Sequence, residues 1–215
     1  MKKIFYILFF SVLVGPINGQ VSFDDYNAAV ELINKAKTSI NDKRYQEAIG
    51  ELESAIKLDS TFRDCYEMMY KAGFFAENKE IAKFYLKKAQ SIFVEDDEII
   101  YYLGKIIQTE KKYGEAIKVF DEAIKFGKKN GEDYPIVYDY YASRGICYLR
   151  LEKYTEALAD FEYAIKLNGK KGSIFANRGI VLFKLNQPAE ACLSWKIAYS
   201  MGELGVQKYI EKNCK

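Results

Sequence analysis

Histidine is absent from this 215-residue chain, and proline and tryptophan are scarce, at three and one. Without histidine, the commonest general base and the commonest metal ligand are both missing. The four cysteines, Cys65, Cys147, Cys192 and Cys214, show neither zinc-site spacing nor a Cys-x-x-Cys pair. No glycine-rich phosphate loop and no Gly-x-Ser-x-Gly turn occurs. The chain is therefore not expected to be an enzyme, and no catalytic residue, metal or cofactor is assigned.

An excess of one charge is also lacking. Lysine and arginine number 32 against 30 acidic residues, and beyond the first residues no basic block stands out. A balanced chain sets up no long-range field for phosphates, so nucleic acid is not an expected partner. Nor is there an apolar run long enough to span a bilayer, which takes about 20 residues. The one candidate, Ile4 to Val14, has eleven. It follows Met1-Lys2-Lys3 and precedes Pro16 and a small residue, Gly19. That order reads as a signal peptide over residues 1–19, cleaved after Gly19. The first cysteine is Cys65, so a lipid anchor next to the apolar run is not expected. The expected product is exported, periplasmic or secreted, with 30 residues of each charge and no membrane span.

What the chain has is a period. A leading residue is followed by alanine 12 positions later and by another after 7 more, in five sets: Ala36/Ala48/Ala55, Tyr70/Ala82/Ala89, Gly104/Ala116/Ala123, Gly145/Ala157/Ala164 and Gly179/Ala191/Ala198. The leading residues stand 34, 34, 41 and 34 apart. Small residues at fixed offsets mark the points where paired helices approach. Large residues flank them: Leu32, Tyr66, Ile100, Tyr141 and Phe175 four before the leading residue, and Leu52, Leu86, Phe120, Phe161 and Trp195 four after the first alanine. Such i, i+4 pairs share a helical face.

The pattern resembles the tetratricopeptide repeat, a 34-residue helix-turn-helix unit. The third copy, with Ile100, Leu103-Gly104, Ile107, Tyr113, Ala116, Phe120 and Ala123, fits it best. The first two copies depart most, with Lys35-Ala36 and Met69-Tyr70 in place of Leu-Gly, and Tyr70 would loosen the packing of its helix pair. The resemblance implies an all-α, right-handed superhelical solenoid of about five repeats, at 29–62, 63–96, 97–130, 138–171 and 172–205. A lead-in would cover 20–28, and a capping helix 206–215. The seven extra residues, around Lys128 to Val137, carry Gly127, Asn130-Gly131 and Pro135 and read as a loop within one domain. Tyr45, Tyr113, Tyr148 and Tyr154 fall at core positions, and Arg144 and Arg178, each before a glycine, read as packing variants with buried stems and exposed heads.

In an oxidising compartment disulfides become possible. A hairpin centred near residue 203 sets position 192 opposite 214, so Cys192 and Cys214 are expected to pair, while Cys65 and Cys147 lie in repeats that are not neighbours.

In the family, the second, fifth, ninth and twelfth positions of each unit line a concave groove. The resemblance thus names Ile33, Lys37, Asp64, Glu67, Lys71, Phe74, Glu98, Tyr101, Lys105, Asp139, Ile146 and Phe183 as candidate partner-binding residues. Aromatic and apolar residues interleaved with both signs of charge suit a peptide or protein partner. One subset of the family grips the carboxylate of chaperone tails with a basic fifth and an Asn ninth residue, and no copy here has that pair. The implied function is a non-enzymatic interaction scaffold assisting complex assembly at the cell envelope. The alternative is a permanent structural subunit that packs through its convex or terminal surface.

Overall fold

The computed structural model describes residues 21–131, 136–167 and 170–214. The expected signal peptide lies outside the described residues. Among those described there are eleven α-helices and no strand. They are α1 (Phe23–Asn41), α2 (Tyr45–Leu58), α3 (Arg63–Phe75), α4 (Lys79–Ile92), α5 (Asp97–Thr109), α6 (Tyr113–Asn130), α7 (Val137–Arg150), α8 (Tyr154–Lys166), α9 (Gly172–Lys184), α10 (Pro188–Ser200) and α11 (Gln207–Asn213), with a short 3₁₀ turn at Leu204–Val206 before the last. Consecutive helices pack in sequence, so the first ten form five hairpins stacked as a solenoid. The first helices of neighbouring hairpins also meet one another, α1 with α3, α3 with α5, α5 with α7 and α7 with α9. That arrangement puts them on the inner face.

The alanines explain the stacking. All ten alanines at the 12 and 19 offsets are fully buried, as is Ala36. The large residues four after the first alanines, Leu52, Leu86, Phe120, Phe161 and Trp195, are buried to 1% exposure or less. Glycine leads a set wherever this partner is an aromatic ring, because Gly104, Gly145 and Gly179 lie directly against Phe120, Phe161 and Trp195. Where the partner is leucine, a side chain fits at the leading position, as Ala36 and Tyr70 do. Tyr70 turns to the next hairpin, where it stacks on Tyr102 of α5 with ring centroids 4.6 Å apart. The close approach moves three residues along, to Gly73, where a Cβ would lie 2.9 Å from that of Ala82.

Each hairpin turns through one left-handed residue: Lys43, Glu77, Lys111, Glu152 and Asn186, with φ between 58° and 62°. The next residue then donates its N–H back across the turn, as Asn78 does to Gly73 at 2.8 Å and Lys153 to Tyr148 at 2.9 Å. This closure stops the first helix and starts the second within three residues. Side chains cap the starts of α1, α4 and α5 at Ser22, Asn78 and Asp96, and Pro188 opens α10.

The expected lead-in is helical from Phe23, with Ser22 capping α1 by accepting from the Asp25 N–H. Two expectations need correction. Part of the seven-residue insertion is helix rather than loop, because α6 runs on to Asn130 before Gly131 breaks it at φ 115°. That extra turn grips the start of α5: Asn130 Nδ2 donates to Asp97 Oδ1 at 2.7 Å, and the buried Tyr140 hydroxyl donates to Asp97 Oδ2 at 2.8 Å. Finally, the Arg144 head is not in solvent. It makes two hydrogen bonds to the buried Asp160, at 2.9 and 2.6 Å, and a third to Asp121 at 2.6 Å, joining α6, α7 and α8. Arg178 repeats the arrangement with Glu162 and Ser194.

At the C-terminal end, α11 lies against α10. Cys192 and Cys214 are joined by a disulfide with Cα atoms 5.6 Å apart, and Tyr209 stacks on Trp195 at 5.2 Å. Cys65 and Cys147 are buried and unpaired, and burial pushes their thiols up to about 12 and about 11.

Candidate functional site

The inner face formed by α1, α3, α5, α7 and α9 divides into three stretches. At the N-terminal end, Ile33 and Lys37 of α1 and Asp64 of α3, with Val30 and Phe62, line a cavity of about 370 Å³. Ile33 is nearly buried, whereas Lys37 and Asp64 are exposed.

The middle stretch is an ion-pair hub that the sequence reading missed. Arg63, at the start of α3, donates Nε and Nη2 to the two oxygens of Asp96 at 2.8 and 3.1 Å, and Nη1 to Glu67 at 3.1 Å, and also pairs with Glu98. Lys71 completes it at 2.6 Å from Glu67. Burial works against ionisation at Glu67 and Asp96. Hydrogen bonds from Lys71 and Arg63 outweigh it, and both carboxyls are held below their ordinary values. Asp96 has a second task, since Oδ1 also accepts from the Ile99 N–H to cap α5. Three of the predicted charges, Glu67, Lys71 and Glu98, are thus committed within the protein. The signal was available in the sequence as the separation of Arg63 from Asp96, which is close to one period.

Beside the hub runs a chain of rings. Phe75 meets Phe74 at 5.7 Å, Phe74 meets Tyr70 at 5.9 Å, and Tyr70 stacks on Tyr102. Tyr102 lies 5.5 Å from Tyr101, which lies 4.8 Å from Tyr140. The run crosses from α3 through α5 to α7. Only Phe74 and Tyr101 were predicted; Tyr70 occupies a position the family pattern assigns to packing, and Tyr102 falls between a groove position and a packing position. Burial raises the phenol pKa values of Tyr101, Tyr102 and Tyr140, so these rings stay neutral.

The third stretch brings four predicted residues together. Tyr101 and Lys105 of α5, and Asp139 and Ile146 of α7, line a cavity of about 220 Å³ with Ser143 of α7 and Asn177 of α9. Both Asp139 oxygens accept from Lys171, at 3.1 and 2.8 Å. Gln108 braces the wall by donating to the Ser143 carbonyl at 2.9 Å. Phe183 lies apart, near the end of α9, half exposed with its ring 5.7 Å from Trp195. Among the described residues no group of histidine, cysteine, aspartate and glutamate is placed to hold a metal ion, and no helix is long and apolar enough to cross a membrane.

Comparison with known proteins agrees with this geometry. The model of the tetratricopeptide repeat matches residues 138–171, which hold α7 and α8. The chain is 24% identical over 202 residues to Hsp70-Hsp90 organizing protein 1 of Glycine max, covering 90% of this chain and 34% of that protein. It therefore spans about a third of the length of this curated relative. The fold is similar to that of PilW, described as a widely conserved type IV pilus biogenesis factor, at a TM-score of 0.70 and 18% identity over 82% of this chain and 78% of that one. It is also similar to YrrB, described as a TPR protein with an unusual peptide-binding site, at a TM-score of 0.61 and 19% identity over 82% and 87% of the two chains. At these identities the likeness is one of fold.

Proposed function

Because this chain is a tetratricopeptide-repeat solenoid, we propose that it is a non-enzymatic scaffold whose inner face binds an extended polypeptide. The supporting observation is the joining of Tyr101, Lys105, Asp139 and Ile146 around one cavity, continuous with the run of rings from Phe74 to Tyr140. Rings and apolar walls supply anchoring area, and the charges and amide groups fix register. The fold shared with YrrB lends support to peptide binding. The fold shared with PilW, together with the apolar stretch behind Lys2-Lys3, supports work at the cell envelope after export. The chaperone-organizing role of the soybean relative is not carried over, since the basic fifth and Asn ninth residues are missing from every copy.

The test is capture from envelope extract with the full chain, its Ile146→Glu and Phe183→Glu variants, and Lys118→Glu on the outer helix α6. Loss of the same protein with both groove variants, and its retention with Lys118→Glu, supports the proposal. The reverse pattern favours the second reading, permanent packing through an outer or terminal surface. That reading draws on the exposed Leu193, Met201 and Leu204 around the end of α10.

A further inference from the structure

We propose that the cavity between α5, α7 and α9 is a subsite for an acidic side chain of the bound polypeptide, received by Lys105. The inference rests on the groove reading above and adds the chemistry of one anchor.

Lys105 stands apart from the other charges of the central groove. Glu67, Lys71 and Glu98 are satisfied in the Arg63 hub, and Asp139 is satisfied by Lys171. Lys105 has neither an ion-pair nor a hydrogen-bond partner among the described residues, although burial has stripped enough water from its ammonium to depress its pKa. Asp139 acts on it electrostatically but lies beyond ion-pairing distance, with both oxygens already engaged. Lys105 is half-buried, and a partly desolvated cation with no counter-charge in contact leaves binding energy to a ligand that brings one.

The ligand class follows from the lining. Lys105 and Lys171 against Asp139 leave one net positive charge, which matches a monoanion. A phosphate would carry its second charge against Asp139. Ser143 and Asn177 add neutral polar groups, while the Tyr101 ring and Ile146 offer an apolar wall for a short methylene stem. At about 220 Å³ the cavity takes a side chain but not a helix, which is about 10–12 Å across. The cavity shares Tyr101 with the run of rings on α3 and α5, and on its other side it is walled by Asn177 of α9, the helix that ends beyond Phe183. A chain crossing it would therefore present a side chain here rather than its end.

The probes are N-acetyl-glutamate N-methylamide, its glutamine counterpart, and N-acetyl-alanine with a free carboxylate, titrated into the ¹⁵N-labelled full chain. The glutamate probe is expected to give saturable shifts at Ser143, Ile146 and Asn177, at least five-fold tighter than the glutamine probe. Lys105→Met, checked for unchanged circular dichroism, is expected to abolish them. Equal binding of glutamine, or shifts that survive Lys105→Met, would overturn the subsite; tighter binding of N-acetyl-alanine would overturn the side-chain source in favour of a chain end. A partner recovered by the groove test separates the two claims. If Ile146→Glu abolishes its binding and Lys105→Met leaves it unchanged, the subsite fails and the groove stands; if neither variant matters, the groove reading itself fails.

Discussion

Gly104 of α5 and Phe120 of α6 are fitted so closely that a Cβ on the glycine would lie 2.6 Å from the ring. The first hairpin solves the same problem with Ala36 and Leu52. Gly104→Ala should therefore destabilise the fold by about 1–3 kcal/mol through overpacking. Adding Phe120→Leu should recover part of that loss, because the double variant recreates the combination of the first hairpin. Urea unfolding of the four proteins in a double-mutant cycle checks this, and a strictly additive result would contradict it.

Arg144 and Asp160 form a pair in which removal of one partner strands the other. Asp160 is 5% exposed, and burial pushes its carboxyl up against the pull of Arg144. Arg144→Met should cost about 3 kcal/mol at neutral pH. A carboxyl whose folded pKa is raised favours the fold below its unfolded pKa and loses that contribution as pH rises through the folded value. The penalty of Arg144→Met should therefore shrink as pH falls and Asp160 takes up its proton. Denaturant midpoints for wild type and variant across the acid range would show the gap narrowing; a constant gap would count against a stranded charge.

The Arg63 hub carries the opposite sign. Asp96 and Glu67 lie below their ordinary values of 3.8 and 4.5, so their contribution is present above those values and is lost as pH falls through the depressed ones. Glu110, held down by Lys112 and Lys83, acts in the same direction. Stability should thus decline below about pH 5. Arg63→Gln should lower stability at neutral pH and flatten the decline, whereas an unchanged slope would show that the hub does not set it.

The C-terminal cap hangs on few contacts. No residue of α11 is buried, so its hold comes from the Cys192–Cys214 bond, Tyr209 on Trp195, and Val206 just before it. A loop of this size contributes about 3 kcal/mol in the chain-entropy account. Cys214→Ser should release residues 204–213 to fast amide exchange and shift Trp195 fluorescence to the red, leaving exchange in α1 to α8 unchanged. Retained protection in α11 would mean that packing alone holds the cap.

The alanine spacing made the solenoid legible because close helix approach leaves little choice of residue, and every one of those alanines is buried. The groove was less legible. Its predicted positions were named one helix at a time, while the charges that occupy them come from elsewhere in the stack. Arg63 at the start of α3 neutralises Glu98 of α5 and Asp96 just before it, and Lys171 at the start of α9 does the same to Asp139 of α7. Tyr102 went unnoticed because the family pattern marks the positions on either side of it. Lys105 could be named as a groove residue, but its lack of a partner appears only when all its neighbours are in place.

The central claim is that the inner face carries the partner. A photoreactive phenylalanine analogue placed at Ile146 or at Phe183, compared with Lys118 or Glu156 on the outer helices α6 and α8, tests it directly in the cells that make the protein. The account predicts one common adduct from the two inner positions and none from the outer pair. An adduct confined to Lys118 or Glu156 would contradict it.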